Sequence, residues 1–359
     1  MQSNVNLKTD YSLTDLYLYL TDQCNLCCTH CWISPRFSQN YQDSISIKAL
    51  KKTILEAKSI GLQRVKLTGG EPLLYQDLRG LIEFLTSEEL SIFIETNGIL
   101  FDKNMIKFFQ SSKVEQISVS LDAASEKIHD EIRGLKGSFH RTLKGLRLLS
   151  DYGLNSQIIF TLQRKNMKEM PDLIRLSEKI GACSLKINPL QPCGRAIEAF
   201  KRSDNLDLDT LLKLNQRVEK EWSGSDSLEI FFDLPLAFKS IAEIKHKGTN
   251  ECQILNILGV LANGDFSICG IGQTIEELRM GNLYKVSICD VWHGNAVLME
   301  LRQSLPGKLK GICQHCIFKF QCLGACRANA YVMTKDLYAP YFLCQELYEL
   351  GLFPKSRYV

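Results

Sequence analysis

Six short apolar runs alternate with amphipathic stretches through the first half of the chain. The runs read as buried strands: LYLYL (16–20), RVKLTGG (64–70), SIFIETNG (91–98), QISVSLDA (116–123), NSQIIFTL (155–162) and CSLKINPL (183–190). Two intervening stretches, 46–61 and 172–181, end in glycine, a common helix terminator. Six repeats of strand then helix predict an α/β fold with a parallel sheet and right-handed crossovers.

Distinctive residues recur where these strands end. A cysteine loop follows the first strand, and the later ends carry Gly69-Gly70-Glu71-Pro72, Thr96-Asn97-Gly98 and Ser120-Leu121-Asp122. Active sites of parallel β/α folds lie at the carboxyl edge of the strands. We therefore expect one site that draws on all four segments.

The cysteine loop, CNLCCTHC, spaces Cys24, Cys28 and Cys31 as C-x3-C-x2-C. Three thiolates on one loop can hold three irons of a four-iron cluster and leave the fourth iron open to another molecule. Cys27 lies inside the loop but breaks the spacing. The spacing alone also allows half of a zinc site.

Composition narrows the class of protein. Fourteen cysteines among 359 residues, with no export signal, indicate metal ligands rather than disulfides. A net charge of +3 and the absence of a long basic run disfavour nucleic acid. The first apolar stretch is too short and too interrupted for a membrane span. We expect a cytoplasmic protein that contacts no membrane.

The pattern changes after Arg195. Residues 201–222 read as a charged helix, and regular periodicity fades from Cys252 while glycine and cysteine become frequent, as in a small domain held together by metal. The expected organisation is a lead-in (1–13), a barrel (14–200), a connector (201–250), a cysteine-rich domain (251–350) and a tail (351–359).

Four motifs together carry a family resemblance: the cysteine triplet after the first strand, GGEP at 69–72, SLDAASEKIHDEIRG at 120–134, and the C-terminal cysteine pattern. The chain resembles a radical S-adenosylmethionine (SAM) enzyme with a C-terminal SPASM domain, from about residue 14 to residue 348. The resemblance implies a partial (β/α)6 TIM-type barrel with a small cysteine-rich iron–sulfur domain.

In this family the open iron chelates SAM, and one electron cleaves the sulfonium to a 5'-deoxyadenosyl radical that abstracts hydrogen from substrate. The resemblance implies SAM contacts from Gly69, Gly70, Glu71, Pro72, Ser120 and Arg133, with Asn97 and Asp122 as candidates for SAM or substrate contacts. It implies no catalytic side chain beyond the SAM cluster. Taken alone, GGEP could be an ordinary turn and Arg133 a solvated cation at a helix end.

The C-terminal cysteines resemble the seven-cysteine SPASM signature, which implies two auxiliary clusters and three [4Fe-4S] clusters in all. By analogy the outer cluster takes Cys313, Cys316, Cys322 and Cys344, and the inner one Cys252, Cys269 and Cys326. The inner cluster is then one ligand short. His246, Cys193 and Cys289 are candidates, and an open iron is the alternative. A zinc ribbon would also use C-x2-C pairs.

The leading functional hypothesis is a maturase that oxidises or cross-links side chains of a ribosomally made peptide or protein. It would draw electrons from a reductant such as flavodoxin or ferredoxin. About fifteen residues precede the first strand, which is too short for the winged-helix domain that binds the leader peptide in some maturases. We therefore expect one of three arrangements: the leader docks elsewhere on the chain, a separate protein recognises it, or the substrate has no leader. Sulfatase-type maturation and tetrapyrrole side-chain modification are the enzymatic alternatives. A zinc-binding interaction module is the non-enzymatic one.

Overall fold

The computed structural model describes residues 11–35, 45–222, 227–248, 252 and 254–359. Most of the expected lead-in, residues 1–10, lies outside the described residues. One ten-stranded sheet runs through the molecule, in the order β10-β9-β8-β1-β2-β3-β4-β5-β6-β7. Its strands are β1 (Asp15–Tyr19), β2 (Arg64–Thr68), β3 (Ser91–Thr96), β4 (Gln116–Ser120), β5 (Ser156–Leu162), β6 (Ser184–Pro189), β7 (Glu229–Phe232), β8 (Ile257–Val260), β9 (Asp265–Ser267) and β10 (Arg279–Asn282).

The first six helices follow β1 to β5 in the expected alternation, and the rest lie between and beyond β6 and β10. They are α1 (Ile47–Ser59), α2 (Leu78–Ser87), α3 (Lys103–Ser111), α4 (Glu126–Arg133), α5 (Ser138–Asp151), α6 (Met170–Ile180), α7 (Ala196–Lys201), α8 (Leu208–Trp222), α9 (Ile241–Lys247), α10 (Ile288–Gly294), α11 (Ala296–Ser304), α12 (Gly311–His315), α13 (Lys319–Cys322), α14 (Arg327–Thr334) and α15 (Phe342–Glu349).

The parallel strands have one apolar face and one polar face. Leu16 and Leu18 of β1, with Val65 and Leu67 of β2, are buried in the core that packs against the helices. Their neighbours along each strand point to the opposite side, because side chains alternate in a strand. We call that opposite side the inner face. Its polar members include Tyr17, Lys66, Glu95, Ser118, Gln157 and Lys186.

The predicted α/β fold with a parallel sheet is confirmed, and the structure adds two strands to its parallel part. The four-residue β7 lies in the stretch expected to be a connector and pairs in parallel with β6. The strand β8, from the cysteine-rich region, pairs in parallel with β1. A four-residue strand is too short to show periodicity, which explains why the sequence pattern stopped at six. The expected charged helix is α8, which begins at Leu208 rather than 201.

A buried hydrogen bond joins the two halves of the chain. The backbone N–H of Gly270 donates to the hydroxyl of Tyr19, at the end of β1, at 2.9 Å. Gly270 leaves room for the ring, since a side-chain Cβ there would lie 2.4 Å from the Tyr19 hydroxyl oxygen. The contact places Cys269 beside the carboxyl end of β1. In the described part of the chain, no helix is both long and apolar enough to cross a membrane.

Tyr19→Phe should destabilise the junction between the two halves. It leaves the Gly270 N–H buried without its acceptor, a loss of about 1–3 kcal/mol. The measurement is thermal denaturation of the iron-loaded protein. Tyr17→Phe is the control, because the Tyr17 hydroxyl, two residues away, makes no hydrogen bond to the described residues. Equal melting temperatures for the two variants would contradict this role of the bond.

Candidate active site

The GGEP segment is hydrogen-bonded to the start of the cysteine loop. The N–H of Gly70 donates to the carbonyl of Thr21, and the N–H of Glu71 to that of Gln23, both at 2.8 Å. A Cβ on Gly70 would lie 2.0 Å from the Gln23 carbonyl oxygen, so only glycine permits this approach. The turn after β2 therefore fixes the chain that leads into Cys24.

Glu71 is a buried carboxylate at the centre of three hydrogen bonds. It accepts from the Thr96 hydroxyl at 2.6 Å, the Asn97 N–H at 2.9 Å and the Leu73 N–H at 3.1 Å. Burial raises the pKa of Glu71 to about 7, although these hydrogen bonds favour the charged form. Pro72 begins the short 3-10 turn Pro72–Leu74 that Glu71 caps. Glu71 thus joins the ends of β2 and β3.

Asn97 continues the connection from β3 to the cysteine loop. Its side-chain amide donates to Oδ1 of Asn25 at 2.8 Å, and its own Oδ1 accepts from the N–H of Ile99 at 3.1 Å. Cys24 is held on the same loop, because the N–H of Leu26 donates to its sulfur at 3.4 Å. The structure therefore brings GGEP and Asn97 together around the cysteine triplet.

Arg133 is a buried cation rather than a solvated one. It ends α4 with 6% of its surface exposed, and its Nη1 donates to the sulfur of Cys28 at 3.7 Å. Its Nε lies 2.7 Å from Oδ2 of Asp122, which is fully buried just beyond β4. Burial raises the pKa of Asp122, but the guanidinium of Arg133, the two histidines His30 and His129 and a backbone N–H together outweigh burial and hold that pKa below its ordinary value. Oδ1 of Asp122 accepts from the N–H of Thr161 at 3.0 Å.

Ser120 lies half-buried at the carboxyl end of β4, two residues before Asp122. All eight residues expected to contact SAM or substrate therefore lie at one edge of the sheet, as the motif positions predicted. Asp122 is engaged with Arg133 and with the backbone at the end of β5, so its observed contacts are those of a counter-ion.

Two histidines complete this cluster, and the sequence analysis did not select them: His129 is buried, and the His30 side chain is 10% exposed. His30, between Cys28 and Cys31, places Nε2 3.6 Å from Oδ2 of Asp122. His129 on α4 accepts at Nδ1 from the N–H of Asp122 at 3.2 Å. Burial lowers the pKa of each imidazole to about 4. A histidine inside a cysteine triplet and another four residues before Arg133 were visible in the sequence, but nothing there showed that both are largely buried.

Arg195, after β6, also contacts the cysteine loop. Its backbone N–H donates to the carbonyl of Cys31, and its side-chain Nε to the carbonyl of Cys28, both at 2.9 Å. No local pattern in the sequence indicates this role, because the contact spans more than 160 residues of chain.

The four cysteines expected to hold the outer auxiliary cluster line one apolar cavity: Cys313, Cys316, Cys322 and Cys344. Thiolates are the ligands that iron–sulfur clusters require, so this donor set fits the implied group. Among the described residues, no three His, Cys, Asp or Glu side chains converge tightly enough to hold a single metal ion. In a four-iron cluster each thiolate binds a different iron, which needs a wider spacing.

The inner set is only partly buried: Cys269 and Cys326 are half-buried, and Cys252 is exposed. Burial raises the pKa of Cys269, and the thiolates of Cys326, Cys252 and Cys193 raise it further. The other proposed fourth ligands lie elsewhere. The Cys289 thiol donates to the carbonyl of Glu56 at 3.5 Å, and His246 is exposed on α9.

Comparison with known proteins agrees with this geometry. Residues 18–177 match the radical SAM superfamily model, and residues 252–317 match that of the SPASM iron–sulfur cluster-binding domain. The AdoMet-dependent heme synthase of Methanosarcina barkeri is 30% identical over 327 residues, covering 88% of this chain and 92% of the relative. The chain belongs to the radical SAM superfamily. It is therefore an enzyme that binds SAM and iron–sulfur clusters.

Other members of the superfamily are similar over most of the chain. Mycofactocin maturase MftC of Mycolicibacterium smegmatis is 24% identical, covering 94% of this chain and 84% of the relative. The crystal structure of Streptococcus suis SuiB bound to the precursor peptide SuiA matches with a TM-score of 0.75 at 19% identity, covering 94% of this chain and 76% of SuiB. That likeness shows the fold: a radical SAM barrel followed by a SPASM domain.

His129→Asn should reduce the pH dependence of stability. Because folding lowers the imidazole pKa from 6.5 to about 4, the unfolded chain binds more protons in that window, and stability falls as pH falls through it. At full shift one such group is worth about 3 kcal/mol. Asparagine keeps an acceptor for the Asp122 N–H but does not titrate, so the stability loss on acidification should shrink.

The measurement is denaturant unfolding of the iron-loaded protein between about pH 7 and about pH 5. His140→Asn is the matched control, because it removes an exposed imidazole on the neighbouring helix α5. If the free energy of unfolding of His129→Asn depended on pH as in the unmodified protein, the role of the buried His129 would be contradicted. The same would follow if both variants changed equally.

Proposed function

We propose that this radical SAM enzyme oxidises or cross-links side chains of a ribosomally made peptide or protein. When bound, the reduced SAM cluster supplies the electron that converts SAM to a 5'-deoxyadenosyl radical, which takes hydrogen from the substrate. The observation that carries the proposal is the assembly of the cysteine triplet, GGEP and a buried Arg133 at the edge of a polar inner face.

The chain's own residues would divide the work of binding. Cys24, Cys28 and Cys31 would hold the SAM cluster. Gly69, Gly70, Glu71 and Pro72 would present backbone polar groups to the SAM ammonium. Arg133 and Ser120 would meet the SAM carboxylate, since a guanidinium pairs well with a carboxylate in a buried site. Asn97 would hold the turn, and Asp122 would keep Arg133 charged and oriented.

The charges on the inner face support a peptide. Lys66 Nζ lies 2.9 Å from a Glu95 carboxylate oxygen, and Lys186 Nζ lies 3.9 Å from a carboxylate oxygen of Asp233, just after β7. Between them Gln157 accepts from Ser118 at 3.2 Å and donates to Ser184 at 3.2 Å. Both lysines thus already have a carboxylate partner, and the amide and hydroxyl groups between them suit a peptide backbone.

A tetrapyrrole is the second candidate substrate. The 30% identity to an AdoMet-dependent heme synthase, over 92% of its length, is the observation that favours it. A tetrapyrrole with several carboxylates needs unpaired cations. Substrate binding would then have to displace Glu95 or Asp233 from its lysine. Sulfatase-type maturation remains a variant of the peptide hypothesis. The reductant and a separate leader-binding protein remain predictions.

Replacing Cys24, Cys28 and Cys31 together by alanine should abolish SAM cleavage and spare the auxiliary clusters. Iron should fall from about twelve to about eight per chain. The measurements are iron and sulfide content after anaerobic reconstitution and 5'-deoxyadenosine formed with dithionite. Cys27→Ala is the control, because Cys27 is exposed in the same loop. Cleavage that survives in the triple variant would refute this assignment.

The substrate class can be tested directly. A peptide encoded beside the gene, and iron coproporphyrin III separately, are incubated with the reconstituted enzyme, SAM and reductant, and the products are analysed by mass spectrometry. We expect the peptide to lose two hydrogen atoms and the tetrapyrrole to remain unchanged. The reverse result would replace the peptide by a tetrapyrrole and leave the radical SAM chemistry intact.

The variant Lys186→Gln distinguishes the two substrate classes by its effect on KM. If the substrate is a peptide, KM should change less than about threefold, because the lysine is already paired with Asp233. If carboxylates of a tetrapyrrole displace Asp233, KM should rise about tenfold or more. Lys179→Gln is the matched control, since that side chain is exposed on α6, away from the inner face.

A further inference from the structure

The segment after β6, residues 191–195, lies between the two groups of cysteines. On one side Gln191 contacts α14 and the residue before α15: its amide donates to the Tyr341 hydroxyl at 3.2 Å and its carbonyl accepts from the Asn329 amide. The backbone N–H of Asn329 donates to the sulfur of Cys326 at 3.4 Å. Two successive hydrogen bonds, through Asn329, therefore connect this segment to Cys326, one of the cysteines expected to hold the inner cluster.

On the other side the same segment packs against the SAM-cluster loop. Gly194 adopts a φ of +57°, and a Cβ there would lie 2.3 Å from the Trp32 carbonyl oxygen, so a larger residue would push the segment away. The ring of Trp32 in turn packs edge-on against the ring of Tyr19, with centroids 6.2 Å apart. The hydroxyl of Tyr19 accepts from the N–H of Gly270, the residue after Cys269. These contacts attach the segment that contains residue 193 to the SAM-cluster loop, and the loop to the backbone beside Cys269.

Cys193 itself is 5% exposed, and its thiol makes no hydrogen bond to the described residues. A buried cysteine can simply be a small apolar side chain. Here its own backbone N–H donates to the carbonyl of Gln191 at 2.8 Å, and Gln191 is linked through Asn329 to the sulfur of Cys326. The four cysteines of the outer set line their own cavity, so Cys193 completes a second set of four.

We propose that Cys193 is the fourth protein ligand of the inner auxiliary cluster, together with Cys252, Cys269 and Cys326. The proposal rests on the iron–sulfur assignment and not on the substrate class. On binding, the thiol gives up its proton and forms one iron–sulfur bond, with no change in the oxidation state of the sulfur. The inner cluster then has no iron open to substrate, so it serves as an electron acceptor or relay and does not hold a substrate thiolate.

The test uses the full chain with Cys24, Cys28 and Cys31 replaced by alanine, so that only auxiliary clusters remain. Cys193→Ser and Cys193→Ala are introduced into this background. Serine keeps nearly the same volume, and its oxygen is a poorer ligand for iron. Cys183→Ala is the matched control, because Cys183 is exposed immediately before the same strand, β6, at its opposite end. Iron content and low-temperature electron paramagnetic resonance of the dithionite-reduced proteins are the readouts.

We expect one of the two auxiliary signals to shift or vanish in both Cys193 variants. Iron should fall by up to about four per chain in Cys193→Ala, with no change in Cys183→Ala. Spectra and iron content identical to the control would overturn the proposal. Loss of both auxiliary signals from Cys193→Ser would also overturn it, because the residue would then support the fold rather than one cluster. No readout depends on a substrate, so a wrong substrate class would leave this result unaffected.

Discussion

The buried ion pair between Arg133 and Asp122 is the constraint around which the active site is arranged. A buried charge is tolerated only when it is paired and hydrogen-bonded, and breaking such a pair is strongly destabilising. This pair joins the end of α4 to the end of β4, the backbone at the end of β5 and, through Cys28, the cysteine loop. The triplet therefore does not depend on its own loop for its position. It is held by elements that the parallel sheet has already aligned.

Glu71 also holds the cysteine loop in place, on the side opposite Arg133. Its pKa, however, reflects a different balance between burial and the groups that stabilise its charge. Among the described residues no cation forms an ion pair with Glu71, and its three hydrogen bonds come from residues at the ends of β2 and β3. Burial therefore dominates and raises its pKa to about 7, whereas the pKa of Asp122 is lowered. The loop thus lies between one carboxylate that stays charged and one that can share a proton.

The features of the fold and of the site that the sequence predicts are those whose residues lie close together along the chain. Six strands, the GGEP turn and the triplet each carry their pattern within a few residues, and all appear where expected. What the sequence did not show depends on contacts between distant segments. The strand β7 has four residues, the pairing of β8 with β1 spans about 240 residues, and the burial of His30 and His129 follows from packing around Asp122. Local patterns carry no information on such contacts.

These distant contacts also decide how the two cysteine-rich regions are related. The sheet is continuous from β10 to β7, so the SPASM strands extend the barrel sheet rather than form a separate unit. Tyr19 and the segment 191–195 then attach the inner set of cysteines to the carboxyl edge of β1 and β6, beside the triplet. Backbone hydrogen bonds would therefore also fix the separation between a SAM cluster held by the triplet and the proposed inner cluster. Of the two cysteines considered as a fourth ligand of that proposed cluster, Cys193 lies on the segment that connects the two regions, whereas Cys289 contacts α1.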